Sequence, residues 1–287
     1  MITPASIDLH IHTTASDGTC TPGELLSRVR EAGLSVFAVT DHDSVKACTE
    51  IRRLLLPGDP LFIPGVEFSC RDEEGKYHIL GYGFDPAAEP IAELVEAAHG
   101  IRVDKVKKRL SVLKSDHGIA FPDEEIRELL SLPNPGKPHI GNLMVKYGYA
   151  GTRRQAILDV LNRICVNTGF IRPEQAIAAI LDSGGVPVLA HPLFGDGDQC
   201  IEGAEMERRL ARLTDFGLRG VEAFYSRFTP AQCAKMLAYA ERFGLFATAG
   251  SDFHGANKDI PLGMTGLSGD ELPAPLVRFL KAVAIET

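Results

Sequence analysis

The sequence contains no apolar run long enough to cross a bilayer, which takes about 20 consecutive residues. Its opening stretch, "MITPASID", has neither the basic nor the apolar region of a secretory signal, so the cytoplasm is the expected location. Six cysteines, at positions 20, 48, 70, 165, 200 and 233, stand far apart without a CxxC pair. That spacing suggests neither a thiolate zinc site nor a disulfide framework, and the thiols are expected to be reduced and partly buried. Internal repeats and low-complexity tracts are also missing. The formal charge of −8 argues against a surface that coats nucleic acid in general. It hides an asymmetry, however: His99 to Arg154 holds 11 Lys and Arg against 6 Asp and Glu, a basic module in an acidic body. What remains, 287 residues at 45% apolar and 24% charged, is a globular chain of one large or two ordinary domains.

Short apolar stretches recur along it. "IDLHIHT", "SVFAVTDHD", "LFIPGVEFSC", "YHILGYGFD", "GVPVLAHP", "RGVEAFYS" and "LFATAGSDFH" read as about seven strands, mostly separated by helices, which predicts a largely parallel sheet. Thr21-Pro22-Gly23-Glu24 has the spacing of a capping box with proline at the first helical position, and Gly33 is a plausible stop. A second helix is expected from about Ser44. From about Ala88 to Phe170 the alternation stops, and the segment reads as a helical insertion broken at "HGIAFPDEE" and "SLPNPGKPHIG".

The chemistry lies in where polar residues interrupt the apolar stretches. In "IDLHIHTTASDG", Ile7, Leu9 and Ile11 share one parity and Asp8, His10 and His12 the other, so a regular strand would aim both rings from one face. Imidazole is the commonest metal ligand near neutral pH, and Asp17 follows five residues later. His12, His42, Glu67, His191, Asp252 and His254 all fall at or just beyond the C-terminal ends of expected strands, where both α/β barrels and open α/β sheets place their sites. Taken singly, each has a plainer use. His42 in "TDHD" could cap a helix, and His78 could be a cross-strand surface residue. Glu67, at the end of an apolar strand, needs a partner if buried. Together, His10, His12, Asp17, His42, Glu67, His78, His191, Asp252 and His254 are too many donors for one ion and suit a cluster of two or three divalent metals.

"DLHIHTTASDGTCTP", "VTDHD", "PGVEFS", "HILGYGFD", "LAHP" and "GSDFH" closely resemble, in order, the motifs of the PHP (polymerase and histidinol phosphatase) family, which is related to the amidohydrolases. The likeness covers nearly the whole chain. It implies an α/β fold, a distorted seven-stranded βα barrel formed by residues 1–87 and 171–287, with residues 88–170 as a helical insertion capping the site. It implies three metals, with manganese expected and iron or zinc as substitutes. His10, His12, Glu67 and Asp252 would hold the first, Glu67, His78 and His191 the second, and Asp17, His42 and His254 the third, with Glu67 as the bridge. Asp41 would orient a ligand ring.

Such a cluster activates water and takes up charge on phosphoryl oxygens, so phosphomonoester hydrolysis is expected. Glu67, His191, Asp252 and His254 are the residues expected to act in it. A metal-held water, Asp252 and a histidine all stay open as the acid for the leaving group. The insertion and "KPHIG" resemble most the bacterial nucleoside 3′,5′-bisphosphate phosphatases, whose relatives include a 5′→3′ exoribonuclease on short RNA. Lys137 and His139, with Arg172 and Arg71, are candidates for a second anionic contact, against a plainer reading as loop and helix-start residues. Relatives usually carry arginine at the Lys137 position, and lysine gives up the bidentate fork. His99 and His117 read as helix-surface residues. The expected substrate is therefore a small nucleotide that loses its 3′-phosphate. A short-RNA nuclease is the alternative, and a non-catalytic metal-binding module is a third reading that the full set of nine donors disfavours. Neither a membrane nor an obligate protein partner is expected.

Overall fold

The computed structural model describes residues 2–195 and 199–283. Thr21 begins helix α1 (Pro22–Glu31) as the sequence predicts: its hydroxyl accepts from Glu24 N, and the Glu24 carboxylate accepts from Thr21 N at 2.8 Å. The helix ends at Gly33, whose φ of +67° suits a residue without a Cβ. Helix α2 (Lys46–Leu54) starts two residues later than expected.

Seven strands follow one another around the sheet in chain order: β1 (Ile7–Asp8), β2 (Val36–Val39), β3 (Leu61–Arg71), β4 (Lys76–Tyr82), β5 (Val186–Leu189), β6 (Gly220–Tyr225) and β7 (Phe246–Gly250). The last returns to the first, with Leu9 N donating to Ala249 O at 2.9 Å and Asp252 N donating to His10 O at 2.8 Å. The result is the distorted seven-stranded barrel that the resemblance implies. Its interior is one apolar cluster drawn from most of the strands. It includes Ile7, Leu9, Val36, Ala38, Ile63, Leu80, Tyr82, Val186 and Val188, joined by Leu276, Phe279 and Val283 of the last helix.

Two details go beyond the expectation. The sheet is largely parallel, as expected, but β4 runs antiparallel to both β3 and β5. Only Asp72–Gly75 separates β3 from β4, far too few residues for a parallel crossover. The Asp72 carboxylate closes that turn by accepting from Glu74 N and Gly75 N. Second, "IDLHIHT" is a strand only over Ile7–Asp8, with one further bridge from Ile11 to Phe253. Its alternation breaks after Leu9: Ile7 and Leu9 join the barrel interior, whereas Ile11 packs outside with Leu25, Val29, Phe37 and Ile51. The chain stays extended between two neighbours there, with Thr40 N donating to Ile11 O and His12 N to Phe253 O.

Chain contacts divide the protein into two units, Met1–Val95 with Ile171–Thr287, and Glu96–Phe170. In chain order the remaining helices are α3 (Glu89–His117), α4 (Asp123–Ser131), α5 (Lys137–Lys146), α6 (Arg153–Gln155), α7 (Pro173–Asp182), α8 (Gly203–Asp215), α9 (Pro230–Arg242) and α10 (Ala274–Val283). A π-helical turn, Ala156–Leu161, continues α6. Val106, Leu113, Leu129, Ile140, Met144 and Leu161 give the second unit its own core. His99 is not a plain surface residue, since its Nδ1 lies 2.9 Å from Pro133 O, whereas His117 is exposed. The described helices include none long and apolar enough to cross a membrane, and all six cysteines are free thiols, with Cys165 and Cys200 exposed.

Candidate metal centre

At the top of the barrel interior, polar side chains replace the apolar layer. Glu67 continues the inward parity of Ile63 and sits within β3 rather than at its end, because β3 runs on to Arg71. His78 faces it from β4, where the antiparallel direction brings the start of that strand to the same end as the other strands' C-termini. His10 and His12 follow β1, His42 follows β2, and His191 follows β5. Asp252 and His254 follow β7.

The Glu67 carboxylate is the hub. Its Oε2 lies 3.3 Å from His10 Nε2, 3.2 Å from His12 Nε2 and 3.0 Å from His42 Nδ1. Its Oε1 lies 2.8 Å from His78 Nδ1 and 3.0 Å from His191 Nε2. Asp252 offers one oxygen to the same space: Oδ1 is 3.4 Å from His12 Nε2 and 3.7 Å from His10 Nε2. Its other oxygen is held by Tyr225 Oη at 2.8 Å and Lys258 Nζ at 2.5 Å. On the far side of His12, Asp17 Oδ1 lies 3.2 Å from His254 Nε2.

All nine donors expected from the sequence are thus brought together. Among the described residues, donor atoms within 4.8 Å of one another form three groups that could hold an ion: His10, His12 and Glu67; His42, Glu67 and His78; and His12, Asp17, His42 and His254. The groups overlap the expected sets but differ in detail, with His42 beside Glu67 and His78, and His12 beside Asp17 and His254.

The donor chemistry fits cations. His10 Nε2, His12 Nε2 and Glu67 Oε2 are buried and make no hydrogen bond, although they crowd within 3.3 Å, an arrangement that is costly unless a positive charge satisfies the lone pairs. In the metal-free chain protons do part of that work. Burial disfavours a charged His12, but the Asp252 and Glu67 carboxylates that face it push its pKa up to about 9. His10 is raised in the same way, against its burial, by the charges of Glu222, Glu67 and Asp252. Burial, with the neighbouring charge of His12, depresses His254. Asp252 is held well below the carboxylate range despite its burial by Lys258 and His10.

The backbone is bent to suit. Among the described residues, the non-glycine residues with positive φ are Asp43 at +50°, His191 at +27° and Asp252 at +58°, all in or beside the cluster. Conformations of this kind cost about 1–3 kcal/mol each and persist where surrounding contacts impose them. Gly250 is required next to them, because a Cβ there would lie 2.2 Å from His10 Cβ and 2.5 Å from Glu222 Oε1.

Several contributors were not found from the sequence. Glu222 is completely buried, lies 2.9 Å from His10 Nδ1 through Oε1, and accepts from His191 N through Oε2 at 2.7 Å. Its signal was present: "GVEAF" places an acid in an apolar strand just as "GVEF" does at Glu67. Tyr225 and Lys258 left no comparable trace. Asp41 accepts from Thr13 N, Thr13 Oγ1 and Ser16 Oγ, and Ser16 Oγ in turn lies 3.4 Å from His12 Nδ1.

Arg172 forks onto Glu73 at 2.9 and 3.2 Å and also pairs with Glu174. Arg71 is exposed at the end of β3, opposite Lys76. Lys137 and His139 belong to the second unit, in the first turn of α5, where Lys137 Nζ donates to Asn162 Oδ1 at 2.7 Å.

The PHP domain model matches residues 8–124. The 5′-3′ exoribonuclease Rnm of Salmonella typhimurium is 31% identical over 89% of this chain and 87% of its own. The 3′,5′-nucleoside bisphosphate phosphatase of Chromobacterium violaceum is 27% identical over 87% of each. Among solved structures, a proposed metal-dependent phosphoesterase from Bifidobacterium adolescentis superposes with a TM-score of 0.81 at 27% identity, covering 96% of both chains. With this extent of likeness, and with the ordered motifs gathered at one end of one barrel, the chain belongs to the PHP family.

Proposed function

We propose that this protein is a metal-dependent phosphoesterase that removes the 3′-phosphate from small nucleoside 3′,5′-bisphosphates, such as adenosine 3′,5′-bisphosphate, leaving the 5′-monophosphate. The observation that carries the reading is the hub geometry of Glu67, which sets both carboxylate oxygens against five histidines. In this reading three divalent ions, manganese first among them, are held by the nine donors with Glu67 shared. When bound, they supply an activated water and positive charge for the phosphoryl oxygens.

The chain's own groups supply position. Asp252 presents Oδ1 to the cluster because Tyr225 and Lys258 hold Oδ2. His254 and Asp17, 3.2 Å apart, form the outer part of the site, and Asp17, the most exposed of the nine, marks the solvent side. The phosphate that does not react is assigned to Lys137 and His139 of the insertion, residues 88–170 in the sequence reading.

A second reading has support of its own. The Rnm relative is 31% identical, and the basic stretch from His99 to Arg154 lies within the insertion, so short RNA trimmed from its 5′ end is the competing substrate. Phosphate release measured across histidinol phosphate, nucleotides, nucleoside bisphosphates and short RNA separates the two. The bisphosphate reading expects the highest kcat/KM on bisphosphates. A clear preference for RNA oligomers replaces it with the nuclease, and no release from any of them removes both.

A further inference from the structure

Glu222 makes two contacts that reach different parts of the centre. Its Oε1 lies 2.9 Å from His10 Nδ1, and its Oε2 accepts the backbone N–H of His191 at 2.7 Å. The carboxylate is 0% exposed, on β6, between the segment after β1 and the segment after β5. His191 has a φ of +27°, a conformation an L-residue adopts only when held. The side chains it fixes face the hub from opposite oxygens: His10 Nε2 toward Glu67 Oε2, and His191 Nε2 toward Glu67 Oε1.

We infer that Glu222 is a positioning residue that sets two ligands at once, fixing the His10 ring with its proton on Nδ1, so that Nε2 is the donor atom, and pinning the strained backbone that aims His191. The inference rests on the reading of this cluster as a metal centre. An ionised carboxylate only accepts, so both of its partners must donate to it. For His10 that places a proton on Nδ1 and leaves the Nε2 lone pair facing Glu67 and the ion.

An amide in the same place cannot serve both partners. The His191 N–H requires an acceptor, which takes the single amide oxygen. The amide NH₂ then faces His10 Nδ1 and must find an acceptor there, which drives the ring proton to Nε2, the atom meant to bind. Glu222→Gln is therefore nearly isosteric yet inverts the tautomer. Glu222→Asp is one methylene shorter but keeps two acceptor oxygens. A role in packing alone ranks Gln at or above Asp, whereas the positioning role ranks Asp above Gln.

The test uses full-length wild type, Glu222→Gln and Glu222→Asp, with Zn²⁺ as a diamagnetic probe. Zinc affinity is measured by competition with a chromophoric chelator, the His10 tautomer by long-range ¹H–¹⁵N correlation on ¹⁵N-histidine protein, and folding by thermal unfolding. Wild type is expected to show His10 protonated at Nδ1. Glu222→Gln should lose affinity by about 10- to 100-fold, with the His10 proton on Nε2 wherever the ring is free of zinc. Glu222→Asp should retain more of both the affinity and the Nδ1–H signature. Wild-type affinity in Glu222→Gln with the proton still on Nδ1 would overturn the inference, and so would a folded Glu222→Asp that binds no better than Glu222→Gln. If Glu222→Gln does not fold, the Glu222→Asp tautomer decides alone. Wild type that takes up no zinc overturns the metal reading itself, a separate and recognisable result.

Discussion

Glu67→Gln is expected to lower kcat on the order of 10³-fold, while thermal unfolding moves by only a few degrees. The acid has both oxygens in use, Oε2 within 3.3 Å of three rings and Oε1 within 3.0 Å of two. An amide has one acceptor, so its NH₂ would turn toward one set of histidines and compete with any cation there. Folding should change less, because the buried histidines left beside a neutral amide can give up their protons and need not remain as unpaired charges. Metal content should fall together with turnover. A variant with near-normal kcat and a full complement of metal would remove Glu67 from the reaction.

The second large effect concerns the substrate. Wild type is expected to process the nucleoside 3′,5′-bisphosphate with a kcat/KM roughly 10- to 100-fold above that for the matching 3′-monophosphate, the range expected for one charge-assisted contact. A chain of net charge −8 attracts a dianion only where positive charge is concentrated. In the proposed function that means the ion cluster for the reacting phosphate and the basic stretch of the insertion for the other. Energy from the anchored phosphate orients the reacting one, so its loss appears in kcat/KM. Lys137→Ala should shrink the difference between the two substrates and leave the 3′-monophosphate nearly unaffected. Equal efficiency of wild type on both substrates would show the two-anion reading to be wrong.

Much of this centre was legible before any fold was known, because histidine and carboxylate at the ends of apolar strands have few other uses. His191 in "LAHP" and Asp252 with His254 in "GSDFH" are examples, and the barrel does gather them. The direction of β4 was less accessible, since apolar alternation is the same for parallel and antiparallel strands. Its clue was the four-residue connection Asp72–Gly75, which only a hairpin can use. The break after Leu9 was hidden because a two-residue period assumes a regular strand, and here hydrogen bonds to Thr40 on one side and to the segment after β7 on the other reshape the chain. Arg172 carries the charge to hold an anion, but Glu174, two residues on, and Glu73, which arrives only through the fold, both engage it. Tyr225 meets Asp252 only once β6 and β7 are side by side, and Lys258 reaches it from six residues on, across the irregular segment after β7, so no regular spacing announces either.

A centre of three shared ions is tested by the number of divalent ions per chain set against activity. Protein purified gently without chelator is analysed for elements, stripped, and titrated with Mn²⁺ while proton release and phosphatase activity are followed. The expected result is three ions per chain, with activity appearing only as the set fills. Protons should be released at pH 7, because His12, held up at about 9 in the metal-free chain, must give up its proton to bind. Full activity with at most one ion per chain would contradict the account.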